Sequence, residues 1–169
     1  IDDGDIAYTV ITAAAISDDE DYNGLDADDV AVTNIDDDTA GVIIGAPNGD
    51  TSEDGAEVSF TIVLSSRPIA AVVVAINSED TSEGQIGRGS VSFEPEVWNT
   101  MQTVVVTGQD DDLIDGDVNY IISIGPITST DAQYAAIDPE DVSLTNLDND
   151  NPPVLSDDIY RDQFELESN

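Results

Sequence analysis

The chain contains an internal repeat, and this repeat limits the folds that it can adopt. Asp3-Gly4-Asp5 recurs as Asp115-Gly116-Asp117, and Thr33-Asn34 recurs as Thr145-Asn146, in both cases 112 positions later (115 − 3). The same offset joins further identical residues without a gap: Tyr8, Ser17, Asp19, Tyr22, Asp26, Asp29, Val30, Asp36 and Asp38 match Tyr120, Ser129, Asp131, Tyr134, Asp138, Asp141, Val142, Asp148 and Asp150. Self-similarity at a fixed period indicates tandem structural units. We therefore expect residues 1–38 to be the end of one unit, 39–150 to be a complete unit, and 151–169 to begin a following domain.

The complete unit contains seven β-type runs separated by turn-forming residues, and no helical period. In the run 57–64, the apolar residues Val58, Phe60, Ile62 and Leu64 alternate with others, as in a strand with one buried face. The predicted strands are 41–44, 57–64, 70–77, 90–93, 100–107, 118–124 and 142–146. Short strands at this spacing predict an all-β, seven-stranded, Ig-like antiparallel sandwich. Residues 1–38 supply only the last two strands of the preceding unit, and we expect a core that contains Phe60, Phe93, Trp98 and Tyr120.

The charge of the chain is strongly negative, which excludes several classes of function. There are 38 acidic residues against three Arg, with no Lys, His or Cys, and the formal charge is −35. Such a chain repels nucleic acids and anionic membranes, and it cannot form disulfides, thiol sites or ordinary zinc sites. No apolar run approaches the length that spans a membrane. We expect no enzymatic activity, and we expect a window cut from a longer polypeptide because the sequence shows neither an initiator Met nor a signal peptide.

The acidic residues are concentrated in turns that lie at one end of the predicted sandwich. The segment 110–117 holds five carboxylates in eight residues, and the acidic turns 50–54, 79–83 and 148–150 fall at the same end because turns alternate between the two ends. Neighbouring carboxylates repel each other by about 1 kcal/mol per pair even near the surface. Calcium, a hard cation with oxygen ligands, would remove this repulsion. A solvated acidic turn is the alternative, and adaptation to high salt is another, although the strands 70–77, 100–107 and 118–124 carry no acid.

Residues 53–150 resemble the Calx-β repeat, in the form that occurs in tandem in very large bacterial surface proteins and adhesins. The likeness lies in Glu53, in the segments 64–68 (Leu-Ser-Ser-Arg-Pro) and 92–95 (Ser-Phe-Glu-Pro), in 102–107 followed by three Asp, and in the closing Asp-Asn-Asp at 148–150. The resemblance implies an extracellular or cell-surface location and several bound calcium ions. It implies that the calcium ligands come from Glu53, Asp80, Glu83, Asp110, Asp111, Asp112, Asp115, Asp117, Asp148 and Asp150. The segment 80–84 departs from the family's usual pattern.

The partial repeat carries further candidate ligands. Asp3, Asp5, Asp36 and Asp38 occupy the positions that correspond to Asp115, Asp117, Asp148 and Asp150. Separately, Asp19, Asp21 and Asn23, followed by Gly24, have the spacing of the first half of an EF-hand loop, but its twelfth position is Val30 rather than a bidentate Glu. A complete EF-hand is therefore excluded, and an Asx-rich turn is the favoured interpretation of this segment.

The tail resembles a cadherin-type linker. Residues 148–154 (Asp-Asn-Asp-Asn-Pro-Pro-Val) are similar to the calcium-binding segment between cadherin domains, and 154–166 is similar to the opening strand of such a domain. A Pro-terminated linker without calcium is the alternative.

These features favour a calcium-binding structural or adhesive module in which Ca²⁺ stiffens the loops and the junctions between repeats. A first alternative is a fibre subunit that is completed by β-strand addition between chains, because a lone hairpin exposes unpaired edges. A second alternative is a calcium-dependent glycan-binding module. The expected partners are neighbouring repeats of the same polypeptide, other copies of itself, and cell-surface or glycan ligands, with no nucleic acid and no membrane insertion.

Overall fold

The computed structural model describes residues 1–151, and these residues form a separate hairpin and a β-sandwich. Residues 152–169, which include the end of the predicted cadherin-like linker and the predicted opening strand, lie outside the described residues. The strands in chain order are β1 (Ile6–Val10), β2 (Val30–Asn34), β3 (Val42–Ile44), β4 (Thr51–Ser52), β5 (Glu57–Leu64), β6 (Val72–Ser78), β7 (Gly84–Ile86), β8 (Ser90–Phe93), β9 (Gln102–Gly108), β10 (Val118–Thr128) and β11 (Val142–Leu147). A one-turn helix, α1 (Ala132–Ala135), connects β10 and β11.

The sandwich consists of two sheets packed face to face. One sheet has the strand order β4-β11-β10-β6-β8, and the other has the order β3-β5-β9-β7. Neighbouring strands are antiparallel except for β4, which pairs with the last two residues of β11 in parallel. The predicted all-β sandwich is therefore confirmed, and the predicted seven strands are all present.

Alternating apolar residues build the core between the two sheets. Every second residue of β5 is buried from Val58 to Leu64, and the facing sheet contributes the inward side chains of β6 and β10, including Ile76 and Ile122. Full burial of an aliphatic side chain contributes about 1.5–3 kcal/mol. The hydrophobic stripe that the sequence showed is thus the main source of stability, and it fixes which side of each strand faces solvent.

The structure corrects several details of the predicted unit. Trp98, which was expected in the core, is only partly buried and packs against the core from its edge, whereas Phe60, Phe93 and Tyr120 are buried as expected. Tyr134 was missed because it lies outside any strand; its ring is buried, and its hydroxyl donates to the carbonyl oxygen of Ser66.

The bounds and number of strands also differ from expectation. β10 continues to Thr128 rather than ending at 124, because the pairing with β6 resumes after a bulge and buries Ile127. The short strands β4 and β7 and the helix α1 were not predicted, since two to four residues give too short a pattern to read. Within residues 1–151, no helix is long and apolar enough to cross a membrane.

The first hairpin has the same backbone pairing as the last hairpin of the sandwich. β1 pairs with β2 from Ile6↔Asn34 to Val10↔Val30, and β10 pairs with β11 from Val118↔Asn146 to Ile122↔Val142, so that each pair is shifted by the repeat length. The sequence repeat is therefore also a repeat of strand register.

Candidate metal centre

The short strand β4 brings an acidic residue to the end of β11. Thr51 is fully buried, and its hydroxyl forms hydrogen bonds with the Tyr120 hydroxyl (2.9 Å) and with the carbonyl oxygen of Thr145 (3.0 Å). The backbone N–H of Glu53 then donates to the carbonyl oxygen of Leu147 (3.1 Å). These bonds fix the chain at 51–53 alongside β11, so the carboxylate of Glu53 reaches the residues that follow that strand.

A first cluster of carboxylates forms at this position. Oxygens of Glu53, Asp148 and Asp150 lie within 4.8 Å of one another. Glu53 is only 6% exposed, and its Oε2 accepts a hydrogen bond from the backbone N–H of Asn149 (2.9 Å). The Oδ2 atom of Asp150 is buried and has no hydrogen-bond partner. Buried polar atoms are almost always paired, so this unpaired carboxylate oxygen is unusual and is a candidate ligand for a cation.

The electrostatics of the first cluster oppose the charged form of its carboxyls. Although the hydrogen bond from the Asn149 N–H lowers the pKa of Glu53, desolvation and the charges of Asp148, Asp150 and Asp111 outweigh it, and the net pKa is raised. Desolvation is the largest cause that raises the pKa of Asp150, followed by the charges of Asp148 and of the Asp110–Asp112 run. A cation bound between these groups would favour their ionised forms.

A second cluster lies on the side of the other sheet. Oxygens of Glu83, which precedes β7, and of Asp111 and Asp115 lie within 4.8 Å of one another, and Asp115 is exposed. Beside it, Asn146 is 2% exposed and donates through Nδ2 to the Gln109 carbonyl oxygen (2.8 Å) and to Glu83 Oε2 (3.3 Å). Its Oδ1 atom is buried and has no hydrogen-bond partner.

Glycine at the end of β9 lets the two sheets approach each other between these clusters. A Cβ atom on Gly108 would lie 2.2 Å from the Ser52 carbonyl oxygen and 2.7 Å from Asn146 Oδ1. No side chain fits there without displacement of the backbone. Gly84 is similarly required, because a Cβ atom would lie 2.5 Å from the ring of Tyr120.

The remaining predicted ligands of the sandwich divide into two groups. Asp110 and Asp112 lie in the loop beside the first cluster, where their charges act on Asp150. Asp80 and Asp117 instead have structural partners: Asp80 Oδ1 accepts from the Ser82 backbone and hydroxyl, which lowers the pKa of Asp80, and Asp117 Oδ1 accepts from the Asp148 N–H (3.2 Å).

In the first hairpin, the predicted ligands are engaged in hydrogen bonds with its own backbone. Asp36 Oδ2 accepts from the N–H groups of Asp3 (2.9 Å) and Gly4 (2.6 Å), and Asp5 Oδ1 accepts from the Asp36 N–H (2.9 Å). The N–H of Asp38 donates to Asp36 Oδ1 (3.0 Å), and this bond is the largest of several that lower the pKa of Asp36. Asp38 also pairs with the terminal ammonium group.

The half EF-hand pattern forms a local turn. The N–H of Asp21 donates to Asp19 Oδ1 (3.0 Å), the N–H of Asn23 donates to the Asp19 carbonyl oxygen (3.0 Å), and Asn23 Oδ1 accepts from the Ser17 N–H (3.2 Å). These bonds are those of an Asx turn. No third carboxylate joins Asp19 and Asp21 in a cluster among the residues that the structure describes.

Sequence reasoning missed Asn146 as a residue of the site. It was attached to no acidic run, and Asn in a strand is usually read as a solvent-facing residue. The available signal was its recurrence, because Thr33-Asn34 is repeated as Thr145-Asn146.

Within the part of the chain that the structure describes, no Arg side chain forms an ion pair with the acidic pole. Within residues 1–151, the only ion pair is the one between the terminal ammonium group and Asp38. The guanidinium groups of Arg67 and Arg88 donate to uncharged oxygens, those of Pro95 and Gln102. Among residues 1–151, no protein cation therefore offsets the charge of the two clusters.

Comparisons with known proteins give structural neighbours at low similarity. No known family and no curated protein matches the chain. Among solved structures, WR4, a member of the MSP family of C. elegans, is 7% identical, with a TM-score of 0.38 over 65% of this chain and 97% of its own. SSP-19, an MSP-domain-like protein of Caenorhabditis elegans, is 17% identical, with a TM-score of 0.37 over 60% of this chain and 96% of its own. At these TM-scores neither neighbour identifies a family or a function.

Proposed function

We propose that the chain is a calcium-binding structural repeat of a large extracellular or cell-surface protein, with Ca²⁺ bound at the acidic pole of the sandwich. The observation that carries this proposal is the first cluster: three carboxylates within 4.8 Å, one of them with a buried oxygen that has no hydrogen-bond partner. An isolated acidic turn in solvent would not bury such an oxygen, because burial without a partner costs about 1–3 kcal/mol.

Calcium suits this donor set better than other common cations. The donors are all oxygens, and they come from several loops, which matches the flexible coordination of six to eight oxygens that Ca²⁺ accepts. Mg²⁺ requires near-ideal octahedral geometry and releases its water reluctantly. Zinc and copper prefer His or Cys, and the chain has neither.

The proposed role of the ions is to hold the pole together. An ion at the first cluster joins the segment after β4 to the segment after β11, through Glu53, Asp148 and Asp150. An ion at the second cluster joins Glu83, on the side of the other sheet, to the loop 110–117. Ion binding would replace mutual repulsion with shared attraction, and would stabilise the folded state by about 2.7 kcal/mol at a calcium concentration 100 times the Kd.

The module is proposed to act as a spacer rather than as an enzyme, with neighbouring repeats as its partners. Residues 148–150 are both ligands and the end of the unit, so an ion bound there would restrict the chain as it leaves the sandwich. The extracellular location follows from the same proposal, since extracellular modules commonly bind calcium with Kd values of about 10⁻⁴–10⁻³ M.

Calorimetric titration of the full chain tests this function. We expect a saturable heat of binding for Ca²⁺, a melting temperature that rises by several degrees in millimolar Ca²⁺, and little response to equal Mg²⁺. E53Q should weaken binding about 10-fold or more, because it removes a charge but keeps the acceptor for the Asn149 N–H.

Glu94→Gln is the matched control. Glu94 is exposed and follows β8 at the end where Val72 begins β6, which is the pole opposite the clusters. The calcium affinity of the Glu94→Gln variant should equal that of the unmodified chain. Absence of any calcium response between micromolar and 10 mM concentrations would refute the proposed function.

A further inference from the structure

The hairpin β1–β2 has an apolar face that nothing covers within the described residues. Tyr8 is 53% exposed and Val10 is 48% exposed, whereas their counterparts in the sandwich, Tyr120 and Ile122, are 3% and 0% exposed. The neighbouring residue Ile6, on the same face of β1, is also exposed. An apolar face on a two-stranded hairpin is marginal in water, because such hairpins need a third strand or a packed surface for stability.

The hairpin nevertheless has the detailed conformation of a hairpin that closes a sandwich. Its carboxylate bonds recur at the repeat offset. Asp29 Oδ1 accepts from the Thr12 N–H (2.9 Å), as Asp141 Oδ1 accepts from the Ile124 N–H (2.8 Å). The Asp36 bonds to Gly4 and Asp38 likewise recur as those of Asp148 to Gly116 and Asp150.

The second copy shows what covers the corresponding surfaces. The outer edge of β10 pairs with β6, in the register Ile122↔Ser78 to Ile124↔Ile76. The outer edge of β11 pairs with β4 in parallel, and the inner face of both strands packs on the four-stranded sheet β3-β5-β9-β7. All of these elements lie between residues 42 and 108.

We propose that β1–β2 closes a second β-sandwich, whose remaining strands have the chemistry of residues 39–112 and precede the hairpin on the same polypeptide. The equivalent of β6 pairs with β1 so that Val10 lies opposite the position of Ser78. The equivalent of β4 pairs with β2, and Tyr8 and Val10 enter the core. This inference does not depend on calcium.

The turn that leads into β1 favours a partner joined directly to the hairpin. Gly4 has φ +74° and Gly116 has φ +77°, and both N–H groups donate to the equivalent Asp. In the sandwich this turn is the end of the loop that arrives from β9. The chain before β1 thus has the conformation of a loop that arrives from such a strand.

A second copy of the chain is a poorer occupant of the face. In each copy, the surface formed by residues 39–112 is already covered by its own β10 and β11. A second copy could use that surface to cover β1–β2 only by exchange of hairpins, which would leave one of the two hairpins exposed.

The test extends the full chain with the proposed complement. A copy of residues 39–112 is joined ahead of Ile1, which reproduces the spacing of the repeat. Amide hydrogen exchange, followed by mass spectrometry, is compared with that of the unextended chain, with calcium and with a chelator. We expect exchange in β1 and β2 to slow on the order of 100-fold or more, to the level of β10 and β11, in both conditions.

Two variants of the extended chain show which face of the hairpin β1–β2 becomes buried. Val10→Asp should abolish the protection, because the counterpart Ile122 is fully buried, whereas Ala7→Asp should retain it, because the counterpart Asn119 is exposed. An extension of the same composition in shuffled order should give no protection.

Three results would overturn the proposal. One is unchanged exchange in the extended chain, and another is protection that Val10→Asp leaves intact. The third is protection of β1 and β2 already present in the unextended chain together with a dimer in sedimentation, which would make a second copy the occupant.

Discussion

The two hairpins of this chain have the same register and the same local hydrogen bonds, but opposite burial. Each pair of residues in β1–β2 corresponds to a pair in β10–β11 at the repeat offset. Tyr8 is half exposed where Tyr120 is buried, and Val10 is half exposed where Ile122 is inaccessible. The pairing of the strands and their turns is therefore specified by the hairpin's own residues, whereas the stability of a hairpin comes from what packs against it.

The largest difference between the copies should appear when a charge is placed on the inner face. Ile122→Asp buries a carboxylate without a partner and should lower the free energy of unfolding by about 4 kcal/mol or more, enough to unfold a marginally stable domain. Val10→Asp should change it by less than about 0.5 kcal/mol. Urea denaturation of both variants measures this. Similar losses in both would show that the first hairpin is covered in the unextended chain.

A smaller difference should come from an aspartate whose carboxylate accepts from the N–H two residues later in both copies. Asp131 is buried, and it accepts from the N–H groups of Gln133 (3.0 Å) and Ile69 (2.9 Å); its counterpart Asp19 is exposed and accepts from the Asp21 N–H. Asp131→Ala should therefore cost about 1–3 kcal/mol, since it leaves buried donors unpaired. Asp19→Ala should cost less than about 0.5 kcal/mol. Thermal unfolding compares the two, and equal costs would mean that the Ile69 contact contributes nothing.

The tyrosine hydroxyl provides a finer comparison. Tyr120→Phe removes the buried hydrogen bond to Thr51 (2.9 Å) and should cost about 1 kcal/mol, while Thr51 keeps its bond to the Thr145 carbonyl oxygen. Tyr8→Phe alters an exposed side chain and should leave stability unchanged. Denaturant midpoints measured in parallel give the difference; a neutral Tyr120→Phe would indicate that the bond does not hold β4 in place.

The smallest effect is a difference in titration between one carboxyl of the segment 36–38 and one carboxyl of the corresponding segment 148–150. The pKa of Asp36 is lowered below 3.8, chiefly by the Asp38 N–H, and the pKa of Asp150 is raised above 3.8, chiefly by desolvation. Asp36 therefore contributes stability that is lost as the pH falls through its lowered pKa, whereas the contribution of Asp150 is present below pH 3.8 and is lost as the pH rises through its raised pKa.

Carbon-detected NMR titration of the side-chain carboxyls, in the presence of a chelator, checks this opposite behaviour. Calcium should then lower the pKa of Asp150. It should leave the pKa of Asp36 unchanged, because the Asp36 carboxylate is already held by backbone donors. Titration of Asp150 below 3.8 without calcium would remove the electrostatic basis for the first cluster.

The seven strands and the core stripe could be read from the sequence because alternation of period 2 is strong in segments such as β5. The convergence of Glu53 with Asp148 and Asp150 was expected from the alternation of turns, but its cause, the two-residue strand β4, was not, since two residues carry no period. The close approach of Gly108 to Asn146 across the two sheets was also missed, because it leaves no local pattern in the sequence. Trp98 was placed too deep because it lies in the turn after β8 rather than in a strand, so no alternation shows which side of the chain it faces.

The chain enters the sandwich at one pole and leaves it at the other. Val42 of β3 lies opposite Leu64 at the far end of β5, whereas Leu147 ends β11 beside Ser52 at the acidic pole. A mechanical pull on the two termini would thus load β3 and β11 along their lengths, so that whole rows of backbone hydrogen bonds must yield together rather than one by one. Such an arrangement resists tension applied between the two ends of the sandwich.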